Sequence, residues 1–183
     1  MNKRVFIFID GSNFYFKLKD LASRLVGQFS LLDFQFRKFA EWLVNPNELI
    51  ETRYYLGAIK RERNNLKSEK LYGDQQKLIG KLQQQNISIT LGQVIRHPDK
   101  TYHEKGVDVR LAVEMIRFAR QDKYDTAYLL SSDTDLVAAV EEVQAFGKKV
   151  QYVGIPKGQS FGLSKVADDV RLLRPEEIKN FLE

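Results

Sequence analysis

Carboxylates form the most informative pattern in this sequence, and the aspartates at positions 10, 108, 133 and 135 are the ones placed to do chemistry. Asp10 follows the apolar run 5–9, while Asp133 and Asp135 follow a second apolar run that ends at Ser131. Carboxylates that converge repel one another and raise each other's pKa, and a hard cation relieves that conflict. Oxygen ligands suit Mg²⁺ or Mn²⁺, and such an ion polarises a phosphoryl oxygen and activates a bound water. These residue types therefore favour metal-assisted hydrolysis of a phosphodiester.

The elements that would position these acids are strands and helices in alternation, which is typical of a mainly parallel sheet with crossover helices. We predict a three-layer α/β/α fold with about five strands. The predicted strands cover 4–9, 50–59, 87–95, 126–131 and 149–155, with an edge strand at 171–173; the predicted helices start near 14 and cover 33–44, 65–84, 107–119, 135–146 and 163–168, with a last turn after Pro175. Ligands bind at the carboxyl ends of parallel strands, so Asp10, Asp133 and Asp135 should project from one edge of the sheet.

Asp108 is placed by helical phase. The apolar stripe of its helix, at positions 111, 112, 115 and 119, lies three, four, seven and eleven residues further on. Asp108 is therefore predicted at the edge of the face that should be buried. A carboxylate there needs a partner, because burying an unpaired charge costs several kcal/mol. A divalent cation or an arginine would serve.

Each acid also has a purely structural interpretation. Asp10-Gly11 is a common turn dipeptide, and Ser12 or Asn13 could only cap a helix. Asp133 could cap the helix that starts near Asp135, and Asp108 also lies in a first helical turn, where acids are favoured. What favours a site is the joint placement of four acids on one predicted edge.

Basic and aromatic residues near that edge could contact a substrate. Arg61 and Arg63 lie in a run of mixed charge that follows a predicted strand, where they could hold the phosphates of a single strand. Phe14 and Tyr15 could stack a base, although helical aromatics are more often core residues. His97 and His103 are interpreted as loop residues, because no second ligand set stands at metal-binding spacing.

Length and composition limit the class of protein. The chain has 183 residues, which suits one domain, with a core over about 4–169 and a helical tail over 170–183. It has no cysteine, which excludes thiolate metal sites. No segment is apolar enough for a signal or a membrane span, so we expect a cytoplasmic protein with no membrane partner. A net charge of +5 favours a polyanionic partner such as RNA. The aromatic segment 34–42 could form a homodimer face or part of the core.

Three segments together resemble the NYN domain family, and more narrowly its LabA-like bacterial branch. They are Ile9-Asp10-Gly11-Ser12-Asn13, Lys105-Gly106-Val107-Asp108-Val109 and Ser131-Ser132-Asp133-Thr134-Asp135-Leu136. The resemblance covers positions 5 to about 169, and the motifs stand in the family's order. It implies a PIN-like fold, a metal-dependent nuclease ancestry and RNA as the expected substrate.

The resemblance also implies roles for individual residues. It assigns metal coordination and catalysis to Asp10, Asp108, Asp133 and Asp135, with Asn13 positioning a water or a ligand. The residues implied to contact the substrate beside the ion are Ser12, Lys105, Ser131 and Ser132. Asp168 is similar to a later acidic position of the family.

Two functions from different classes follow from this pattern. One is a Mg²⁺- or Mn²⁺-dependent ribonuclease, most simply an endoribonuclease. The alternative is a catalytically silent module that holds RNA or a nucleotide. Other doubly wound phosphotransfer enzymes fit less well: a haloacid-dehalogenase-type site would place a second acid at position 12, which is serine, and a dinucleotide fold would want a glycine pattern after the first strand.

Overall fold

The computed structural model describes residues 2–26, 30–61, 64–96 and 102–182, with backbone alone at 23–26, 93–96 and 102–105. Its strands are β1 (Arg4–Asp10), β2 (Glu48–Leu56), β3 (Ser88–Leu91), β4 (Gln93–Arg96), β5 (Tyr102–Lys105), β6 (Thr126–Leu130), β7 (Lys149–Gly154) and β8 (Asp169–Leu172). Its helices are α1 (Gly11–Val26), α2 (Phe36–Val44), α3 (Leu66–Gln84), α4 (Val107–Arg120), α5 (Val137–Ala145), α6 (Phe161–Val166) and α7 (Pro175–Lys179), with short 3₁₀ turns at Leu31–Asp33 and Thr134–Leu136.

Six strands form one parallel sheet in the order β3-β2-β1-β6-β7-β8. The central strands are buried on both faces: residues 5–9 of β1 and 127–130 of β6 are all buried. Such strands read as continuous apolar runs in a sequence, which is why both were visible there. The predicted α/β fold with a mainly parallel sheet is confirmed.

The strand order reverses between β1 and β6. From β1 the chain builds outward through β2 to β3, and then returns to add β6, β7 and β8 on the other side. The crossover helices therefore leave a crevice outside the carboxyl ends of β1 and β6, where ligands bind in folds of this kind. Asp10 ends β1, and Ser131 follows β6 directly.

Two hydrophobic clusters cover the two faces of the sheet. One packs α1, α2, α3 and α7 against the odd-numbered residues of β1, and the other packs α4, α5 and α6 against Phe6 and Phe8. By this alternation Asp10 belongs to the α4 face. On α2, Phe36 and Phe39 are buried in the first cluster, and Trp42 packs on Phe181 and beneath the Arg171 guanidinium. The structure thus explains the aromatic segment by core packing, and a homodimer stays a prediction.

Several boundaries differ from the prediction, each for a local reason. The strand predicted over 87–95 is two strands, because Gly92 separates β3 of the main sheet from β4, which pairs antiparallel with β5. Helix α1 begins at Gly11 and not near Phe14, since the Asp10 carboxylate already caps it by accepting the Asn13 N–H. Asp33 does not cap α2: it lies in a 3₁₀ turn, and α2 starts after Gln35 without a side-chain cap.

The edge strand predicted at 171–173 is present as β8, and the last helical turn follows it. Strand β8 pairs with β7, and Leu173, Ile178 and Phe181 beyond it are buried in the first cluster. Among the described helices, none combines the length and the apolarity that a membrane span requires.

Candidate functional site

Two hydrogen bonds hold the Asp10 side chain in place at the carboxyl edge of the sheet. Its Oδ1 accepts the backbone N–H of Asn13 at 3.1 Å, and its Oδ2 accepts the Ser131 hydroxyl at 3.0 Å. These donors come from the first turn of α1 and from the end of β6, so Asp10 joins the two elements on either side of the crevice. Both donors are uncharged, which leaves the charge of the carboxylate unbalanced.

The chain after β6 is arranged around the same hydroxyl. The Asp133 N–H donates to Ser131 Oγ at 3.1 Å, and the Asp135 N–H donates to Asp133 Oδ1 at 3.0 Å. Asp133 is therefore the cap of the 3₁₀ turn at Thr134–Leu136, as the structural interpretation proposed. One of its carboxylate oxygens is taken by this bond. Asp133 is half-buried, whereas Asp135 is exposed.

Asn13 and Ser132 clasp the two sides of the crevice together. The Ser132 N–H donates to Asn13 Oδ1 at 3.1 Å, and Asn13 Nδ2 donates to Ser132 Oγ at 2.9 Å. An amide that both accepts and donates across 119 residues of sequence fixes the separation of α1 and the loop after β6. Asn13 thus orders the site in which Asp10 stands.

Like charges act on Asp10. Burial raises the pKa of Asp10 above its ordinary value, and the nearby carboxylates of Asp133 and Asp108 raise it further, while the bonds from Asn13 and Ser131 oppose the shift. Among the described residues, no ion pair involves Asp10, Asp108 or Asp133. A carboxylate that is partly desolvated, repelled by two others and without a cationic partner is the arrangement that a cation would stabilise.

Asp108 reaches the site from the first turn of α4. The helix follows Gly106, whose φ of 78° lies in the left-handed region that glycine adopts readily. Residues Leu111, Met115 and Ala119 are buried as predicted, but Asp108 is exposed. The predicted phase of the apolar stripe is confirmed, whereas Asp108, predicted at the edge of the buried face, is exposed.

The acids do not form a compact ligand set. Among the residues whose side chains the structure describes, no three acidic or histidine side chains lie together in a way that would hold one ion. Asp10, Asp108 and Asp133 are nevertheless close enough for their charges to shift a pKa. The donors therefore fit a hard cation by chemistry, and the four-aspartate metal site stays a prediction.

Gly11 lets β2 approach the site closely. A Cβ built at Gly11 would lie 2.5 Å from the Tyr55 carbonyl oxygen and would overlap the Tyr54 ring. The Tyr54 hydroxyl donates to the Gly11 carbonyl oxygen at 3.1 Å and is fully buried. Burial raises the pKa of Tyr54 far above its ordinary value, and the Asp10 charge acts in the same direction. Tyr54 is thus a neutral donor that braces the turn after Asp10.

A groove opens beside this turn, on the β2 side of Asp10. It has a volume of about 650 Å³ and runs between α1 and α3. Its walls include Ser12 and Tyr15 from α1, Leu56 and Ile59 from the end of β2, and Leu78 from α3. Volumes of a few hundred Å³ with mainly apolar walls are typical of sites for small organic groups. Ser12 is exposed at its rim, and Tyr15 lines it while Phe14 is buried in the core.

The basic residues predicted to contact the substrate are Arg61, Arg63 and Lys105. Arg61 is exposed and pairs with Glu69 at 3.4 Å. Arg63 and His97 lie outside the described residues, and Lys105 and His103 lie on β5, for which the structure gives the backbone alone. Lys105 directly precedes Gly106 and α4, so its backbone is adjacent to the acidic edge. The substrate contacts predicted for Arg61, Arg63 and Lys105 stay predictions, whereas His103, interpreted from the sequence as a loop residue, lies on a strand.

Asp168 lies at the opposite end of the sheet from the other acids. Its carboxylate accepts the Val150 N–H and the Gln144 side chain, both at 2.9 Å, near the amino end of β7. These bonds tie α5 and β7 together. Asp168 therefore has a structural role, and its similarity to a later acidic position of the family does not bring it to the acidic edge.

The comparisons with known proteins agree with the observed fold. The family model of the NYN domain matches residues 4–173. A crystal structure of a protein of unknown function from Vibrio parahaemolyticus has a TM-score of 0.68 and 21% sequence identity, covering 100% of this chain and 97% of that one. This likeness shows the fold.

A crystal structure of Acinetobacter baumannii MurG is more distant, with a TM-score of 0.44 and 13% identity over 92% of this chain and 40% of that one, too low a similarity for an inference. No curated protein matches the chain. The family match spans nearly all of the sheet and all three acidic motifs, and the chain belongs to the NYN domain family.

Proposed function

We propose that this protein is a Mg²⁺- or Mn²⁺-dependent ribonuclease that hydrolyses RNA phosphodiester bonds at the acidic edge. The observation that carries the proposal is the state of Asp10: it is half-buried at the switch point of the sheet, its hydrogen-bond donors among the described residues are uncharged, and Asp108 and Asp133 repel it. The membership of the chain in the NYN domain family supports a nuclease fold. The groove lined by Gly11 and Ser12, which follow Asp10 in the chain, offers room for a nucleotide.

Asp10, Asp108 and Asp133 would hold the cation, with Asp135 as a more exposed fourth acid. When bound, the ion supplies polarisation of the phosphoryl oxygen and activation of a water. The Ser131 hydroxyl and the Asn13 N–H keep the Asp10 carboxylate in one orientation. The clasp between Asn13 and Ser132 keeps the crevice at one width, so a bound phosphate meets a preorganised edge.

RNA is the polyanion that the family and the charge favour. The chain carries 29 Lys and Arg against 24 Asp and Glu, although the edge itself is acidic. A basic surface around an acidic edge would hold the flanking phosphates, while the cation offsets the carboxylates at the scissile one. Affinity for RNA should then fall steeply with salt.

The direct test is cleavage of labelled single-stranded and structured RNAs in EDTA, Mg²⁺ or Mn²⁺. The variants are Asp10→Asn and Asp133→Asn, with Asp169→Asn as a matched control, because Asp169 is an exposed carboxylate at the amino end of β8. We expect metal-dependent products from the wild type and from Asp169→Asn, and none from the other two.

Cleavage that survives both Asp10→Asn and Asp133→Asn would overturn the assignment of the site. RNA retained by the wild type without any product, in every metal, would instead support the silent RNA-binding module. An RNA affinity that does not change with salt would count against that alternative as well.

A further inference from the structure

Two phenylalanines near the acidic edge are exposed to solvent. The exposed fraction is 67% for Phe16 and 80% for Phe161. Single exposed apolar residues are normal on a soluble protein, so exposure by itself indicates nothing. The position of these two, both connected to the acidic edge, is what distinguishes them.

Phe16 lies on α1 three residues after Asn13, and residues at this spacing share a helix face. It contacts the neighbouring Tyr15 ring at 5.4 Å between centroids. Phe16 is therefore exposed although it lies close to the site. The same face of α1 carries Asn13, whose side-chain amide bonds to Ser132.

Phe161 comes to the same region from the other side. It is the first residue of α6, and the next residue, Gly162, packs so closely that its Cβ position would be 3.2 Å from Thr134 Cγ2. Thr134 directly follows Asp133 in the chain. Phe161 is therefore a close neighbour of the loop that carries two of the four acids.

The loop between β7 and α6 precedes Phe161, and hydrogen bonds hold it to the residue that follows Phe16 on α1. Lys17, next to Phe16, donates its ammonium to the carbonyl oxygens of Gly158 and of Lys157, the latter at 3.3 Å. The Ser160 N–H donates to the buried Tyr152 hydroxyl at 2.9 Å, and Ser160 Oγ caps α6 by accepting the Leu163 N–H. Rings carried on a fixed backbone lose less entropy on binding than rings on a loose loop.

Three lysines stand near the two rings in the chain, beside the acids of the edge. Lys17 follows Phe16 on α1 and bonds to the loop that carries Lys157, and Lys165 is exposed on α6. Lys157 pairs with Asp20 at 3.4 Å, but its side chain is 70% exposed, so that pair is weak and leaves the ammonium accessible. Exposed aromatic rings among lysines are what proteins use to bind unpaired nucleic acid: the rings stack bases and the cations contact the backbone.

We propose that Phe16 and Phe161 form a base-stacking surface for single-stranded RNA on the β7 side of the acidic edge. The inference rests on the RNA part of the proposed function and adds to it. It assigns two binding residues, and it states that the strand entering on this side is unpaired. Bases in an A-form duplex are stacked on one another and are not free to stack on protein rings.

The test is RNA binding by the Asp10→Asn protein in EDTA, so that the RNA stays intact whether or not the wild type cuts it. In that background, Phe16→Ala and Phe161→Ala are compared with Phe161→Trp. The control is Phe146→Ala, because Phe146 is 40% exposed at the far end of α5. The probes are an unstructured labelled oligonucleotide, the same oligonucleotide with abasic positions, and a duplex of equal length.

Each alanine variant should bind the unstructured RNA roughly tenfold more weakly, since a stacked base contributes about 1–3 kcal/mol. Phe161→Trp should keep the affinity, and Phe146→Ala should stay within about twofold of the parent. The alanine effect should vanish with the abasic and duplex probes. The salt dependence should not change, because no charge is removed.

The outcomes separate this inference from the nuclease assignment. If RNA binds but both alanine variants match Phe146→Ala, the stacking surface is wrong and the ribonuclease proposal is untouched. If binding depends on the two rings but the wild type never cuts, the stacking surface stands and the nuclease proposal falls. If the Asp10→Asn protein binds no RNA in EDTA, the stacking surface is wrong, and cleavage by the wild type in Mg²⁺ or Mn²⁺ decides the ribonuclease proposal separately.

Discussion

Acids lie at both ends of the pair formed by β1 and β6, and the charges that surround those acids differ between the two ends. At the amino end, Arg4 begins β1 and donates to Asp125, which precedes β6, through its N–H and its guanidinium at 2.8 Å each. Asp122 beside them accepts from Arg4 at 2.9 Å and from Lys148. Every one of these acids has a cationic partner from the chain itself.

The pKa shifts of the acids therefore differ between the two ends. At the amino end, the bonds from Arg4 lower the pKa of Asp125 to about 2, and Lys148 and Arg4 together lower the pKa of Asp122. At the carboxyl end, burial and neighbouring acids raise the pKa of Asp10. The first arrangement stabilises the fold, and the second stores an unfavourable interaction at the point where the topology creates a crevice. Perturbed carboxylates of the second kind are concentrated at functional sites.

Exchanging each acid for its amide gives the strongest test of this contrast. Asp10→Asn should lower metal-dependent RNA cleavage by about 10³-fold, roughly 4 kcal/mol of transition-state stabilisation, while the free energy of unfolding stays the same or rises. Asp125→Asn should do the opposite, with cleavage within about twofold of the wild type and lower stability. The measurements are initial cleavage rates and urea unfolding on the same preparations. Loss of stability in both variants with no selective loss of cleavage would contradict the division of roles.

Much of this division could be read from the sequence. The runs 5–9 and 127–130 are apolar throughout because both faces of β1 and β6 are covered, so the residues that follow them had to lie at the carboxyl edge. The phase of α4 brought Asp108 to the same edge. What the sequence could not show is the degree of exposure there, because burial of the first turn of α4 depends on whether another element packs over it.

The errors arose where non-local packing decides the structure. The segment 87–95 alternates like one strand, and nothing local reveals that the chain leaves the sheet at Gly92. Asp168 is similar to a later acidic position of the family, and only the pairing of β7 with β8 shows that it lies at the amino end of the sheet, away from the other acids. No prediction is made from the sequence for Phe16 or Phe161, because the exposure of a helical phenylalanine depends on which elements pack over it in the fold.

The carboxyl end should tolerate a change of charge but not a change of volume. Gly11→Ala should lower the free energy of unfolding by about 3 kcal/mol, because the new methyl meets the Tyr55 carbonyl oxygen and the Tyr54 ring, and backbone cannot move aside cheaply. Gly73→Ala and Gly80→Ala are the controls: both glycines are in α3 with no atom near the new methyl, so each should be neutral or stabilising by up to about 1 kcal/mol. Urea unfolding of the three variants decides the matter. A Gly11→Ala protein as stable as the controls would show that β2 does not approach Asp10 as closely as described.

A cation should stabilise one end of the sheet and not the other. At a concentration ten times its Kd, Mg²⁺ or Mn²⁺ should raise the free energy of unfolding of the wild type by about 1.4 kcal/mol. The gain should be lost in Asp10→Asn. It should be kept in Asp125→Asn, because Asp125 pairs with Arg4 in the wild type and is not expected to bind the cation. Thermal unfolding over a metal titration measures it without any substrate. A gain that persists in Asp10→Asn would place the bound ion elsewhere on the molecule.

Acid should weaken the amino end in a defined range of pH. The folded pKa of Asp125 is about 2, below its ordinary value of 3.8, so its pairing with Arg4 contributes fully above about pH 4 and is lost as the pH falls through 2. The loss should be no more than about 1 kcal/mol, because the Asp125 side chain is 32% exposed and solvent screens the pair. Urea unfolding from pH 6 to pH 2 should therefore show a shallower decline in Asp125→Asn than in the wild type, while Asp169→Asn keeps the wild-type decline. Equal declines in all three proteins would mean that Arg4 and Asp125 do not stabilise the fold, and the contrast between the two ends of β1 would then rest on Asp10 alone.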